Sequence, residues 1–287
     1  MTADPAIAIA PYGTRFGKTL AQLPLDDLHW PLGRPPRLAQ GRVADMARFD
    51  HLICYPKTNM HFLPRLGSPA QISVMVVEPS IIHARHLRYL RWTHRRFFRV
   101  FSYNDALLGA IPNGLLLPFG TTWVAEPDRV DTTKSRRMSL IASAKRDHVG
   151  HRLRHDIVTR IQSEQLDVDV LGRGYAPFDS KADGLAPYRF SVIIENVRER
   201  NYFTEKLVDA ILCETVPIYW GCPNIGDFID PACMIQCDSE AEVLAAIRDA
   251  DEVTFDRHIG PLRAARGAAL HWANLELRAA TALRDRL

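Results

Sequence analysis

The feature that most constrains this chain is a regular alternation. Short, mostly apolar runs rich in β-branched residues are separated by longer stretches with helical periodicity. The runs are 6–10, 52–55, 72–77, 98–102 and 115–117 in the first half, then 139–142, 168–171, 190–194 and 216–219. Several are bounded by Gly, Pro, Asn or Asp, among them 6–10 between Pro5 and Pro11 and 115–117 between Gly114 and Pro118. Continuous apolar runs suit strands buried on both faces of a parallel sheet. Helical patterns fall near 80–92, 150–164, 204–213, 239–249 and 256–285. Strand and helix in turn predict βαβ units and an α/β fold. In such folds ligands gather at the carboxyl ends of the strands.

The length, 287 residues, admits one large doubly wound domain or two smaller ones. The stretch Ala125–Ser135 is polar, carries Pro127 and has no apolar period, so it reads as a linker. The expected division is a unit over 1–127, a linker over 128–135 and a second unit over 136–287. The balance of 36 Lys+Arg against 33 Asp+Glu is too mild for a dedicated nucleic-acid binder. Five cysteines are an odd number and make no disulfide framework. Cys233 and Cys237 lack a second pair at ligand spacing, and Asp167-Val168-Asp169 falls inside an expected strand, so no metal site is predicted. No apolar run approaches the ~20 residues that span a bilayer, and the first residues have no signal-peptide pattern.

The chemistry concentrates in 188–229. A buried strand ends in Glu195-Asn196. A polar loop follows, and Tyr202-Phe203-Thr204-Glu205-Lys206 opens a helix. A second strand ends in Trp220-Gly221-Cys222-Pro223-Asn224. Two strands thus bring polar loops to one sheet edge with a helix N-terminus between them, where unpaired N–H groups favour an anion. Lys206 in the first turn opposes the helix dipole, which points to a pyrophosphate partner.

The pattern E-N-x5-Y-x-T-E-K-L followed by V-P-I-Y-W-G-x-P-N-I resembles the C-terminal signature of glycosyltransferase family 10, the α-1,3/1,4-fucosyltransferases. Ser139–Ser143, Arg154-His155-Asp156-Ile157-Val158 and Val168-Asp169-Val170-Leu171-Gly172-Arg173 extend the likeness upstream. Val197 departs from it, standing where the family usually has Ser. The resemblance implies a GT-B fold, two Rossmann-like domains facing a central cleft, with the acceptor side first and the nucleotide-sugar side second. It implies inverting transfer of L-fucose from GDP-fucose, or a similar nucleotide sugar, to a glycan hydroxyl without an obligatory metal. Arg154 and Lys206 match the diphosphate-binding positions. Asn196, Tyr202, Thr204 and Glu205 match the rest of the donor site. The family's base is a Glu at the end of an N-terminal-domain strand, and Glu78, after Ile72–Val77, is the matching candidate; Glu126 and Asp105 are rivals. A different nucleotide sugar, or a catalytically silent nucleotide- or glycan-binding module, are the alternatives.

Two histidine and arginine groupings remain. His83–Arg99 holds six Arg and three His. Arg85, Arg88, Arg95 and Arg99 share a face if one helix runs throughout, a solvated basic face or a peripheral membrane contact. His148, His151 and His155 fall at helical spacing and read as part of a surface helix near the donor phosphates. The expected setting is a cytoplasmic enzyme, with association to the inner membrane face as a variant. It would decorate bacterial surface polysaccharide or its lipid-linked precursor, and no nucleic-acid partner is expected.

Overall fold

The computed structural model describes residues 4–287. The chain forms two compact units. The first runs to Pro118 and also takes in Leu275–Leu287, and the second is Phe119–Asn274. Each has its own apolar core and its own five-stranded sheet.

The first unit contains β1 (Ile7–Ile9), α1 (Lys18–Gln22), β2 (His51–Cys54), β3 (Gln71–Val76), α2 (Ser80–Thr93), β4 (Val100–Ser102), α3 (Asp105–Leu108) and β5 (Gly114–Leu116). The strands stand in chain order and every neighbouring pair is parallel. All residues of β1, β2 and β4 are buried. That explains why they read as largely apolar runs rather than strictly alternating ones.

The second unit contains β6 (Arg136–Ile141), α4 (Val149–Ser163), β7 (Asp169–Leu171), β8 (Tyr188–Ile194), α5 (Glu205–Leu212), β9 (Val216–Trp220), β10 (Ile235–Gln236), α6 (Glu240–Asp249), α7 (Glu252–Ala264) and α8 (Arg266–Trp272). Its sheet order is β10-β9-β8-β6-β7, again all parallel. The chain therefore reverses its direction of travel between β6 and β8. Such a switch point opens a crevice at the carboxyl ends of the two strands, where doubly wound sheets bind ligands. Gly150 lets the first turn of α4 close onto the loop after β8. A Cβ there would lie 1.7 Å from the Glu195 carbonyl oxygen, and the Gly150 N–H donates to the Asn196 carbonyl at 3.0 Å.

All nine expected strands form, displaced at their ends by up to three residues. Three expectations need correction. The two-residue β10 went unforeseen. The helical stretch 256–285 is three helices: α7 with Pro261 inside it, α8, and α9 (Leu275–Arg284). The division into units also differs from 1–127 and 136–287. Residues 119–135 pack with the second unit, where Lys134 Nζ donates to the Ala186 and Cys213 carbonyls at 2.8 Å each. α9 joins the first unit, burying Leu275, Ala279, Ala280 and Leu283. Burial of a helix stripe, rather than sequence proximity, decides which core a terminal helix joins. The five cysteine side chains are buried and none is in a disulfide.

Candidate functional site

The switch point of the second sheet collects the residues singled out by the motif. β8 ends at Ile194 and delivers Glu195, which is fully buried. Its Oε1 accepts the Thr204 N–H at 2.8 Å and its Oε2 accepts the Thr204 hydroxyl at 2.7 Å. Thr204 is the N-cap of α5, its Oγ1 accepting the Lys206 N–H at 3.3 Å. A Thr cap satisfies one of the N–H groups that a helix leaves open at its start. The cap also fixes the direction of the next two side chains. Glu205 and Lys206 turn back toward Glu195, so Lys206 Nζ lies 3.1 Å from Glu205 Oε1, 3.5 Å from Glu195 Oε2 and 3.0 Å from Thr204 Oγ1.

One cation thus serves two buried carboxylates. Burial pushes the Glu195 carboxyl above the usual range, against the pull of Lys206. Burial also pushes Glu205 up, but Lys206 and Lys181 outweigh it and hold Glu205 below its ordinary value. Lys206 is lowered by burial, yet the two carboxylates more than restore it, and its pKa stands above the ordinary value. The charge on Lys206 is therefore secure, and Glu195 is the carboxylate that takes a proton first.

Arg154 comes from α4, on the other side of the switch point. It is buried, with its Nε donating to the Ile194 carbonyl at 3.1 Å and its Nη2 to Asn196 Oδ1 at 2.7 Å. Burial lowers its pKa, opposed by Glu195, Glu205 and Tyr202. Tyr202 is buried in the loop before α5. The preceding Asn201 has a left-handed backbone, φ 60°. Its N–H donates to Asn224 Oδ1 and its Oδ1 accepts from Asn224 Nδ2, each at 2.8 Å, which pins the loops after β8 and β9 together. The second unit thus brings Arg154, Asn196, Tyr202, Thr204, Glu205 and Lys206 to one sheet edge.

Sequence reasoning passed over several residues here. Glu195 stands beside Asn196 in the motif and is the only carboxylate that touches both the α5 cap and Lys206 among the described residues. Asp209, one turn beyond Glu205, accepts from the Thr122 hydroxyl at 2.6 Å and the Trp123 N–H at 3.0 Å. Burial raises its pKa to about 6. His151 and His155 are buried rather than on a surface helix. His155 Nδ1 pairs with the Tyr175 hydroxyl at 2.7 Å. Asp169, half of the Asp-x-Asp sequence, is engaged by Tyr188 and Arg136, each at 2.8 Å.

In the first unit Glu78 follows β3 and precedes α2, as expected, and it is half-buried. The carboxyl edge of that sheet holds a second acid that sequence reasoning missed. Glu276 of α9 accepts from the Tyr55 hydroxyl at 2.8 Å and pairs with His29 through its other oxygen. Burial, then Glu276, Tyr12 and Glu78, push the Tyr55 phenol far above its ordinary pKa. No local pattern foretold Glu276, because its partners are more than two hundred residues away.

α2 ends at Thr93, followed by a single 3-10 turn over His94–Arg96. The helix therefore cannot carry Arg99 on its basic face, and Arg99 lies against the Phe98 ring instead. Ile81, Arg85, Arg88 and Trp92 form one exposed row of α2, with Arg95 exposed just beyond. Among the described residues no helix is long and apolar enough to cross a membrane.

Residues 132–248 match the family model described as glycosyltransferase family 10 (fucosyltransferase) C-term. An alpha-(1,3)-fucosyltransferase of Helicobacter pylori is 38% identical over 52 residues, 18% of this chain and 11% of that protein. An alpha-(1,4)-fucosyltransferase of Arabidopsis thaliana is 38% identical over 58 residues, 20% of this chain and 14% of that protein. The matched stretches thus span well under two thirds of these relatives. A crystal structure of an alpha1,3-fucosyltransferase with GDP covers 92% of this chain and 83% of its own, with a TM-score of 0.55 and 15% identity. The chain is an α/β protein of the GT-B fold that carries the C-terminal signature of glycosyltransferase family 10.

Proposed function

We propose that this protein is an inverting glycosyltransferase that transfers L-fucose from GDP-fucose to a hydroxyl of a glycan. The observation that carries this reading is the convergence of Arg154 and Lys206 at the β6/β8 switch point, inside the segment that matches family 10. When the glycosidic bond of a nucleotide sugar breaks, negative charge grows on the departing diphosphate. Cations fixed beforehand stabilise that charge more in the transition state than in the ground state. Arg154 is suited to this by its rigid fork and Lys206 as a point charge. Both are already held in place by Asn196, Thr204 and the two glutamates, so little reorganisation accompanies binding. Glu205 and Asn196 supply acceptors for ribose or sugar hydroxyls, and Tyr202 completes the wall.

Inversion requires a base for the acceptor hydroxyl. Glu78 is our candidate, supported by its place at the carboxyl edge of the first sheet. The acceptor is bacterial surface polysaccharide or its lipid-linked precursor, handled on the cytoplasmic side against the inner membrane face. The exposed row of Ile81, Arg85, Arg88 and Trp92 supports that placement, because arginine with an exposed indole suits an anionic interface.

The test is calorimetric titration with GDP-fucose, alongside other GDP- and UDP-sugars. Binding of GDP-fucose followed by release of GDP only when a glycan acceptor is added is the expected result. Preference for another nucleotide sugar would reassign the donor. Binding without turnover on any acceptor would leave a nucleotide-binding module.

A further inference from the structure

The N-cap of α4, His148, and its first turn, with His151, hold two histidines that have no part in the donor site described so far. Nδ1 of His148 and Nδ1 of His151 are both buried and have no hydrogen-bond partner. His151 is only 6% exposed. The two rings lie 4.9 Å apart, inclined by 30°. Buried polar atoms without partners are few in folded proteins, and each calls for an explanation. Two of them flank the start of a fifteen-residue helix, where backbone N–H groups lack partners within the helix. Arg154 is one turn further along, three residues from His151 and so on the same face. Glycine at 150 brings this turn against Glu195 and Asn196. In the Nδ1–H tautomer both imidazoles are donors on the face that carries Arg154, which suits an acceptor with several oxygens.

We propose that His151, with His148 beside it, binds a phosphate oxygen of the donor diphosphate through Nδ1–H, while Arg154 binds another. This deepens the donor reading and rests on it. The imidazole acts as a neutral, orienting donor. Burial is the largest influence keeping His151 uncharged. Arg154, His148 and Lys145 reinforce it, and only Asp147 opposes it.

The test compares wild type, His151→Leu and His151→Asn by calorimetric titration with inorganic pyrophosphate, GDP and GMP. The leucine variant should lose at least tenfold in affinity for pyrophosphate and GDP and less for GMP. The asparagine variant, which keeps a donor, should recover part of the loss. Without ligand, His151→Leu should melt at or above the wild-type temperature, since it removes an unpartnered buried atom. Equal GDP affinity in wild type and His151→Leu would overturn the inference and leave the donor reading standing. A leucine variant that melts well below wild type would also overturn it, by making His151 a packing residue. Wild type that binds pyrophosphate but no GDP-sugar would overturn the donor reading alone, and the pyrophosphate comparison would still decide the role of His151.

Discussion

Glu195 grips Thr204 with both carboxylate oxygens, one on the backbone N–H at 2.8 Å and one on the hydroxyl at 2.7 Å. This joins the end of β8 to the start of α5. It also means that a buried acid is held by the same residue that caps the helix carrying Lys206. Removing the acid leaves the Thr204 N–H and hydroxyl without their acceptor and takes from Lys206 one of its two carboxylates, Glu205 staying at 3.1 Å. Breaking a buried charge pair from one side costs roughly 3–5 kcal/mol. Glu195→Ala is expected to lower the unfolding free energy of the chain by about that amount in urea titrations. Glu195→Gln keeps the shape and one acceptor, and its loss should be less than half as large. Equal losses would mean that volume rather than bonding matters at this position.

Arg154 and Lys206 approach the same edge from different helices, so their contributions to diphosphate binding should be separable. Hydrogen bonds to charged groups are worth about 1.5–3 kcal/mol. Arg154→Ala and Lys206→Ala should each weaken GDP binding by roughly 10- to 100-fold in calorimetric titrations. Arg154→Lys should rescue little, since Lys cannot bond the Ile194 carbonyl and Asn196 as a fork does. Lys206→Ala should also release Glu205, whose pKa is then expected to rise because its nearest cation has gone. GDP affinity in that variant should fall more steeply above the new Glu205 pKa than in wild type.

Glu78 is expected to act on turnover and not on donor binding. Glu78→Gln should retain wild-type affinity for GDP-fucose while kcat falls by ~10²–10⁴, the range ascribed to general-base catalysis. Tyr55→Phe tests the neighbouring pair: it removes the bond to Glu276 at 2.8 Å and should change kcat far less. Retained turnover in Glu78→Gln would remove Glu78 as the base and turn attention to Glu276.

The parts of this molecule that were legible in the sequence are those with a local signal. Continuous apolar runs marked the strands because strands covered on both faces leave no room for polar alternation. Thr204-Glu205-Lys206 was legible as a helix start, and its part in a donor site came only from the resemblance of the longer pattern to family 10. Glu195 was quoted within the motif but given no role, since nothing local shows that its partners lie on the next helix. Glu276 and the assignment of α9 depend on packing against β1, a contact between opposite ends of the chain. β10 has two residues, too few for any period. His151 was read as a surface residue because helical spacing alone does not tell which face is buried when the helix carries Arg and His on several sides.

The first unit should be sensitive to acid through a histidine cluster. His61 Nε2 and His86 Nδ1 share a hydrogen bond at 3.0 Å, and His61 Nδ1 pairs with the Thr93 hydroxyl at 2.8 Å. The His83 ring packs edge-on against His86 at 5.4 Å. The shared bond needs one ring nitrogen without a proton, so both rings cannot be charged while it lasts. Burial, first of all, holds His61, His83 and His86 down to about 4. The unfolded chain takes up protons near the ordinary value of 6.5. Between these values the unfolded state binds more protons than the folded one, so stability falls as pH falls. The contribution is fully present above pH 6.5 and is lost as pH drops toward 4. At 1.36 kcal/mol per pKa unit the ceiling is roughly 3 kcal/mol for each histidine, less for the coupled pair. Thermal melts followed by circular dichroism from pH 7 to 4.5 should show a steady decline in wild type. His83→Leu, which also deletes an unpartnered buried nitrogen, should flatten that decline and melt no lower than wild type at pH 7. A variant with an unchanged slope would show that His83 does not resist protonation in the folded chain.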